Sequence, residues 1–148
     1  MDVAVERIAA ATEETVEAFA RLLPQLSASA APLDAAALDA LLIWPGNHIL
    51  AACVDGRIVG VLTLVTFPVP TGLRARIEDV VVDESARGHG AGAALIREAL
   101  RLAETEGARS VDLTSRPDRV SAIRLYERLG FTRRASNTFR YTGAPRLS

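Results

Sequence analysis

The chain predicts a mixed α/β fold, a central and mostly antiparallel sheet of six to seven strands flanked by about four helices. Three observations carry that prediction. Apolar residues recur at helical spacing in four stretches, short apolar runs bounded by turn residues read as strands, and the order changes midway. The first half reads as an antiparallel meander and the second as strand–helix–strand–helix–strand, a mixed sheet with helices on its faces.

Val3 to Ile8 alternates weakly and suits a first strand. Thr12 to Leu26 places Val16, Phe19, Ala20 and Leu23 at helical spacing, with Thr12 as the N-cap. A small-residue loop leads to a second short helix, Asp34 to Ile43, capped by Asp34. Trp44-Pro45-Gly46-Asn47 is a turn before the strand His48 to Val54, and Asp55-Gly56 is a two-residue hairpin signal before Ile58 to Phe67. Residues 68–72 (PVPTG) break the sheet, and Ala75 to Val82 resumes it. A helix from about Gly90 to Glu106 turns Leu95, Ala99, Leu102 and Ala103 inward and stops at Gly107. Ser110 to Thr114 is the next strand. Pro117-Asp118 opens a helix over 119–129 that ends at Gly130, and Phe131 to Arg134 with Thr138 to Tyr141 form a closing strand pair.

Composition bounds the function classes. The 148 residues suit one domain, 1–148, with 49% hydrophobic and 24% charged residues. No apolar run is long enough to span a membrane, and the acidic N-terminus lacks the apolar core of a secretory signal. The single cysteine, Cys53, has no internal disulfide partner, which fits a reducing cytoplasm, and its apolar setting suits a small buried hydrophobe. Residues 1–73 hold three arginines against eight acids, a balance of −5; residues 74–148 hold fourteen against ten, a balance of +4. The second half thus favours an anionic ligand, while no arginine block suggests nucleic acid. All seventeen basic residues are arginine, which excludes a lysine-dependent phosphate loop and Schiff-base chemistry. No Cys/His/Asp cluster has metal-ligand spacing.

The segment Asp79 to Ile96, DVVVDESARGHGAGAALI, is strand, turn and helix start with three alternating glycines. Unpaired amides and the positive end of a helix dipole make an anion site there, and glycines let a phosphate approach the backbone. A triphosphate loop fails, since Gly92 is followed by Ala93-Ala94. Gly88-x-Gly90-x-x-Ala93 fits a loose dinucleotide fingerprint, but Asp112, about 20 residues on, falls mid-strand, and five residues separate Val82 from the first glycine. A glycine-rich turn without a ligand remains open on this segment alone.

Arg87-Gly88-His89-Gly90-Ala91-Gly92 resembles the Arg/Gln-x-x-Gly-x-Gly/Ala signature of the GNAT superfamily of N-acetyltransferases, and Leu125-Tyr126-Glu127-Arg128-Leu129-Gly130-Phe131 resembles its second signature. The resemblance is good over residues 47–141 and topological over 1–46. It implies a sheet splayed in the middle, between strands near residues 80 and 113, where a thioester would lie. It implies acetyl-CoA as acyl donor and an amine acceptor, dimers being common in the family, while the lack of a metal-ligand cluster leaves no metal expected. Backbone groups along Val80-Val81-Val82, those of Val80 and Val82 above all, would pair with the pantetheine arm. The amides of Arg87, Gly88, His89, Gly90, Ala91, Gly92 and Ala93 would hold the pyrophosphate. Arg119 stands where the family often has Asn, a departure that leaves a non-catalytic coenzyme A-binding or sensor module as the alternative.

An aliphatic amine with pKa near 10.4 is neutral in about one molecule in 2,500 at pH 7, so a base must take its proton. Glu78 and Asp79 precede the cofactor segment, and strand alternation lets only one of them face the substrate. The resemblance favours Glu78 acting through water, and the Ile77 to Val82 run also looks like glucosamine-6-phosphate N-acetyltransferases, where both acids contact the sugar. By the same resemblance Tyr126 is the acid for the departing thiolate. His89 occupies a variable position of the signature, His48 begins a strand with no visible partner, and Trp44 suits either a pocket wall or the core.

Overall fold

The computed structural model describes residues 2–143, and the chain divides into two compact units, Met1–Ser115 and Arg116–Ser148. The first unit contains β1 (Ala4–Arg7), α1 (Glu13–Leu26), α2 (Ala35–Ile43), β2 (Asn47–Val54), β3 (Arg57–Val69), β4 (Gly72–Val82), a 3-10 turn (Glu84–Ala86), α3 (Ala91–Glu106) and β5 (Val111–Asp112). The second unit contains α4 (Val120–Arg128).

Both early helices start where side-chain capping dictates. Thr12 Oγ1 accepts from the Thr15 amide at 3.2 Å and Thr15 Oγ1 accepts from the Thr12 amide at 2.8 Å, a reciprocal box. Asp34 Oδ1 accepts from the Ala37 amide at 2.8 Å. The strands lie in the order β1-β2-β3-β4-β5, the first four antiparallel and β5 parallel to β4. Asp55-Gly56 closes the β2–β3 hairpin as its residue types predict. The segment expected to break the sheet at 68–72 instead carries β3 to Val69 and turns through Pro70-Thr71 into β4 at Gly72.

Alternation along the strands divides the core between two faces. Ile49, Ala51, Cys53, Val61 and Val81 pack with Phe19 and Leu22 of α1 and Leu38 of α2 in one cluster. The intervening residues Leu50, Ala52, Leu62 and Leu64 face the other way, the side of α3, whose Leu95, Ile96, Ala99 and Ala103 are fully buried or nearly so. Leu95 would lie 3.3 Å from a side chain added at Gly60, so α3 sits directly against β3.

Three expected strands differ. Ser110 to Thr114 contracts to Val111–Asp112, because its ladder with β4 stops at Arg76. The closing pair Phe131 to Arg134 and Thr138 to Tyr141 does not form, and five strands are found among the described residues instead of six to seven. Arg133, Arg134, Ser136 and Asn137 leave that stretch without an apolar face to bury, and Phe139 is 91% exposed.

Candidate active site

β4 has β3 on one side along its length but β5 on the other only at Ala75 and Arg76. From residue 77 onward no strand pairs with that side among the described residues. The Asp83 amide donates to the Val59 carbonyl at 2.7 Å, and Val81 lies opposite Val61. Antiparallel alternation therefore turns the backbone groups of Val80 and Val82 away from β3, toward the unpaired side. An extended ligand arm could add there as a strand does.

The register changes where the acids lie. Glu78 opposes Thr63 and Val81 opposes Val61, so Asp79 and Val80 together face the single residue Leu62. This is a β-bulge, and Asp79 carries it with a φ of 51°. Asp tolerates that left-handed conformation better than most side chains. Strict alternation would put Glu78 and Val81 on opposite faces; with the bulge, their partners Thr63 and Val61 share one. Glu78 pairs with Thr63 while Asp79 falls opposite Leu62, on the other face of β3, so the bulge does not overturn the expected opposite facing of Glu78 and Asp79. Both side chains are solvent-accessible. Partial desolvation raises the Asp79 carboxyl above the usual range, with repulsion from Glu78 second. No donor bonds the Asp79 carboxylate among the described residues, whereas Glu78 Oε2 accepts from Arg76 Nε at 3.0 Å. The same guanidinium donates to Thr114 Oγ1 at 3.1 Å, bracing the point where β4 and β5 part.

Beyond β4, Asp83 caps the 3-10 turn by accepting from the Ser85 amide at 3.1 Å. Arg87 Nε donates to the Val82 carbonyl at 3.3 Å, and its charge stays at the surface. Gly88 and Gly90 both adopt φ near 85–87°, which ordinary side chains resist. Gly90 is the N-cap of α3, and the first bond into the helix runs from the Ala94 amide to the Gly90 carbonyl at 3.0 Å. Among the described residues no acceptor meets the amides of Gly88, His89, Gly90, Ala91, Gly92 and Ala93. Six successive donors at a helix start, three with the positive dipole end behind them, suit an anion with several oxygens.

In the second unit, Ala122, Ile123, Leu125, Tyr126 and Leu129 form the half-buried stripe of α4. The Phe131 amide donates to the Tyr126 carbonyl at 3.0 Å, closing the helix end, and the two rings meet edge-on with centroids 6.1 Å apart. Burial raises the Tyr126 phenol above its ordinary value, while the Arg119 charge works against that. Arg119 is the N-cap of α4 and makes no capping bond with its side chain.

Three other expectations can be placed. Cys53 is buried, and its thiol is raised by burial first and by Glu6 and Glu14 second, the reverse of an activated nucleophile. His48 does have partners: its Nε2 lies 3.3 Å from Glu106 Oε1 and 3.4 Å from Thr66 Oγ1, with the ring buried on the α3 side. Strand alternation with buried Leu50 was the available signal. Trp44 is 67% exposed, so it is not a core residue. Among the described residues no group of three His, Cys, Asp or Glu is disposed to hold a metal ion, and no helix is long and apolar enough to cross a membrane.

Residues 11–131 match the model of the acetyltransferase (GNAT) family. The chain belongs to that family. The glycine loop and the end of α4 both lie within the stretch that matches the GNAT model. A glucosamine 6-phosphate N-acetyltransferase of Trypanosoma brucei brucei is 44% identical over 79 residues, 51% of this chain and 52% of that protein. The chain thus spans about half the length of that curated relative. A crystal structure of a Trypanosoma brucei acetyltransferase matches with a TM-score of 0.76 and 29% identity, over 95% of this chain and 99% of the other. The structure of a transcriptional regulator from Bacillus halodurans C-125 matches with a TM-score of 0.75 and 26% identity, over 95% and 99%.

Proposed function

We propose that this GNAT protein is an N-acetyltransferase, an acyltransferase enzyme acting as one domain over 1–148, that moves an acetyl group from acetyl-CoA to a primary amine by direct attack in a ternary complex. The observation that carries the reading is the run of six unbonded amides, Gly88 to Ala93, immediately after an unpaired stretch of β4. A pyrophosphate joined to an extended amide-bearing arm has the chemistry that both features accept. The backbone of Val80 and Val82 would hold the arm, Val81 being turned to Val61 of β3 instead of joining them as expected, and Arg87 with the loop amides would hold the phosphates.

Bound acetyl-CoA supplies the activated acetyl group. The chain supplies proton handling. Asp79 and Glu78 are the candidate bases for the ammonium, directly or through water. The raised Asp79 carboxyl has no bonded donor and is the better acceptor, while Glu78 must share its charge with Arg76. Tyr126 would donate a hydrogen bond to the departing thiolate. A phenol near 10 facing a thiol near 8.5 is uphill by about 2 kcal/mol before burial adds to it, so stabilisation of the thiolate suffices and full transfer need not precede. Cys53, buried with a raised thiol, supports direct transfer over an acyl-enzyme.

Coenzyme A binding measured by calorimetry, and thiol release from acetyl-CoA across a panel of amines, test this. Binding with amine-dependent release is the expected result; no binding overturns it. Binding without release across a broad panel establishes the second reading, a non-catalytic coenzyme A-binding sensor, which the likeness to a transcriptional regulator favours.

A further inference from the structure

Helix α1 reaches the root of the glycine loop through two side chains one turn apart. Arg21 Nη1 donates to Asp83 Oδ2 at 2.9 Å, and Nη2 donates to the Ile58 carbonyl of β3 at 3.1 Å. Glu17, one turn earlier, accepts from Arg21 Nε at 3.2 Å and steadies the fork. Gln25 Oε1 accepts from the Glu84 amide at 2.9 Å, while its Nε2 donates to the Arg21 carbonyl at 3.2 Å. Asp83 spends its other oxygen on the amide and hydroxyl of Ser85, at 3.1 and 3.0 Å. The Arg21 and Asp83 side chains are 18% and 12% exposed, so the pair is largely withdrawn from water and held in one geometry.

These bonds end on the backbone and cap of the two residues at which β4 becomes the cofactor loop. Between the buried Ala86 and Ala91 the loop has little to hold it. A Cβ added at Gly88 or Gly90 would meet nothing within 4 Å, so no packing fixes the direction of the chain at either glycine. Amides that must all face one anion then depend on how the segment is launched at Asp83 and Glu84. A bond serving stability alone could join α1 to any part of the sheet, but both of these reach the launch point.

We infer that Arg21 and Gln25 are positioning residues that set the direction of the loop so that the amides from Gly88 to Ala93 converge on a pyrophosphate. The inference rests on the coenzyme A site proposed above. Three variants, Arg21→Met, Arg21→Lys and Gln25→Leu, test it in the full chain by calorimetry with coenzyme A, with pantetheine as the probe lacking the pyrophosphate, and by amide hydrogen exchange.

Arg21→Met is expected to weaken coenzyme A binding about tenfold, the weight of a hydrogen bond to a charged group, with pantetheine changed less than about twofold. Exchange should quicken at the bonded amides of residues 84–87 while the buried α3 positions Leu95 to Ala103 stay slow. Arg21→Lys should lie between, because one ammonium can meet Asp83 but lacks the planar fork that also reaches Ile58. A folded Arg21→Met protein with unchanged coenzyme A affinity overturns the inference. If that variant does not fold, Gln25→Leu decides: about threefold weaker binding with the same exchange pattern supports it, and unchanged binding overturns it. If the unsubstituted protein does not bind coenzyme A, the proposed function fails separately. The exchange pattern over 84–87 then settles whether α1 directs the loop.

Discussion

Asp79→Asn should raise stability and lower activity together, and the two effects have separate origins. Asparagine has nearly the same shape and accepts a φ of 51° at least as readily, so the bulge should survive. What disappears is a carboxylate that burial and Glu78 both disfavour. Because this side chain is accessible, solvent screens the repulsion, and like charges at such spacing cost about 0.2–0.5 kcal/mol. For a chain of this size that is about 1–2 °C in Tm at neutral pH. The sign with pH follows from linkage. Asp79 has a folded pKa above the ordinary 3.8, so its ionisation destabilises the native state above the folded value, and that cost vanishes as pH falls through it toward 3.8. Melting curves of both proteins from pH 3 to 8 should therefore diverge with rising pH, Asn above Asp, and meet near pH 3. In the thiol-release assay the same variant should lose at least about tenfold in turnover if Asp79 takes the proton. An Asn variant that is less stable at pH 7, or a difference that ignores pH, would refute the account of the bulge. Unchanged turnover would leave Glu78 as the base.

Three further outcomes are expected. Tyr126→Phe should lower turnover at least about tenfold while coenzyme A affinity stays nearly constant; equal turnover in the two proteins would remove the phenol from the mechanism. Cys53→Ala should retain full turnover and insensitivity to thiol alkylation, with Tm lowered a few degrees by the lost buried sulfur; an inactive, folded variant would reopen the acyl-enzyme route. His48 has a pKa depressed below 6.5, by burial first and Arg7 second with Glu106 opposing, so its contribution is present above 6.5 and is lost as pH falls. His48→Gln should accordingly flatten the loss of Tm between pH 7 and 5, and an unchanged slope would contradict the burial of a neutral ring.

What could be read in advance was what short stretches of chain decide for themselves. Thr12 and Asp34 start helices because a side-chain oxygen meets an amide three residues away, and Asp55-Gly56 turns because of its own backbone preferences. The glycine loop was legible for the same reason. The bulge at Asp79 was not, since it exists only in the pairing of β4 with β3 and no residue type announces it. The Arg76–Glu78 pair follows from two residues sharing a strand face and could have been anticipated from the Arg-x-Glu spacing. The Arg21–Asp83 bond joins positions 62 apart and depended on helix α1 crossing β4. The closing strands failed because alternation at Phe139 and Tyr141 is not enough without a partner surface.

The unpaired stretch of β4 has a consequence for the behaviour of the protein in concentrated solution. Ile77 and Val80 to Val82 are β-prone apolar residues with no strand on one side among the described residues, where only the Val82 carbonyl has a partner, Arg87, the kind of template on which a second chain could nucleate an aggregate. Glu78 and Asp79 lie within this run and Asp83 and Glu84 follow it, while the left-handed residue twists it out of register with a flat incoming strand. The acids that would handle a proton thus also act as gatekeepers. Neutralising them should make the protein less soluble even where it melts higher, and a bound pantetheine arm should protect it by occupying the same edge.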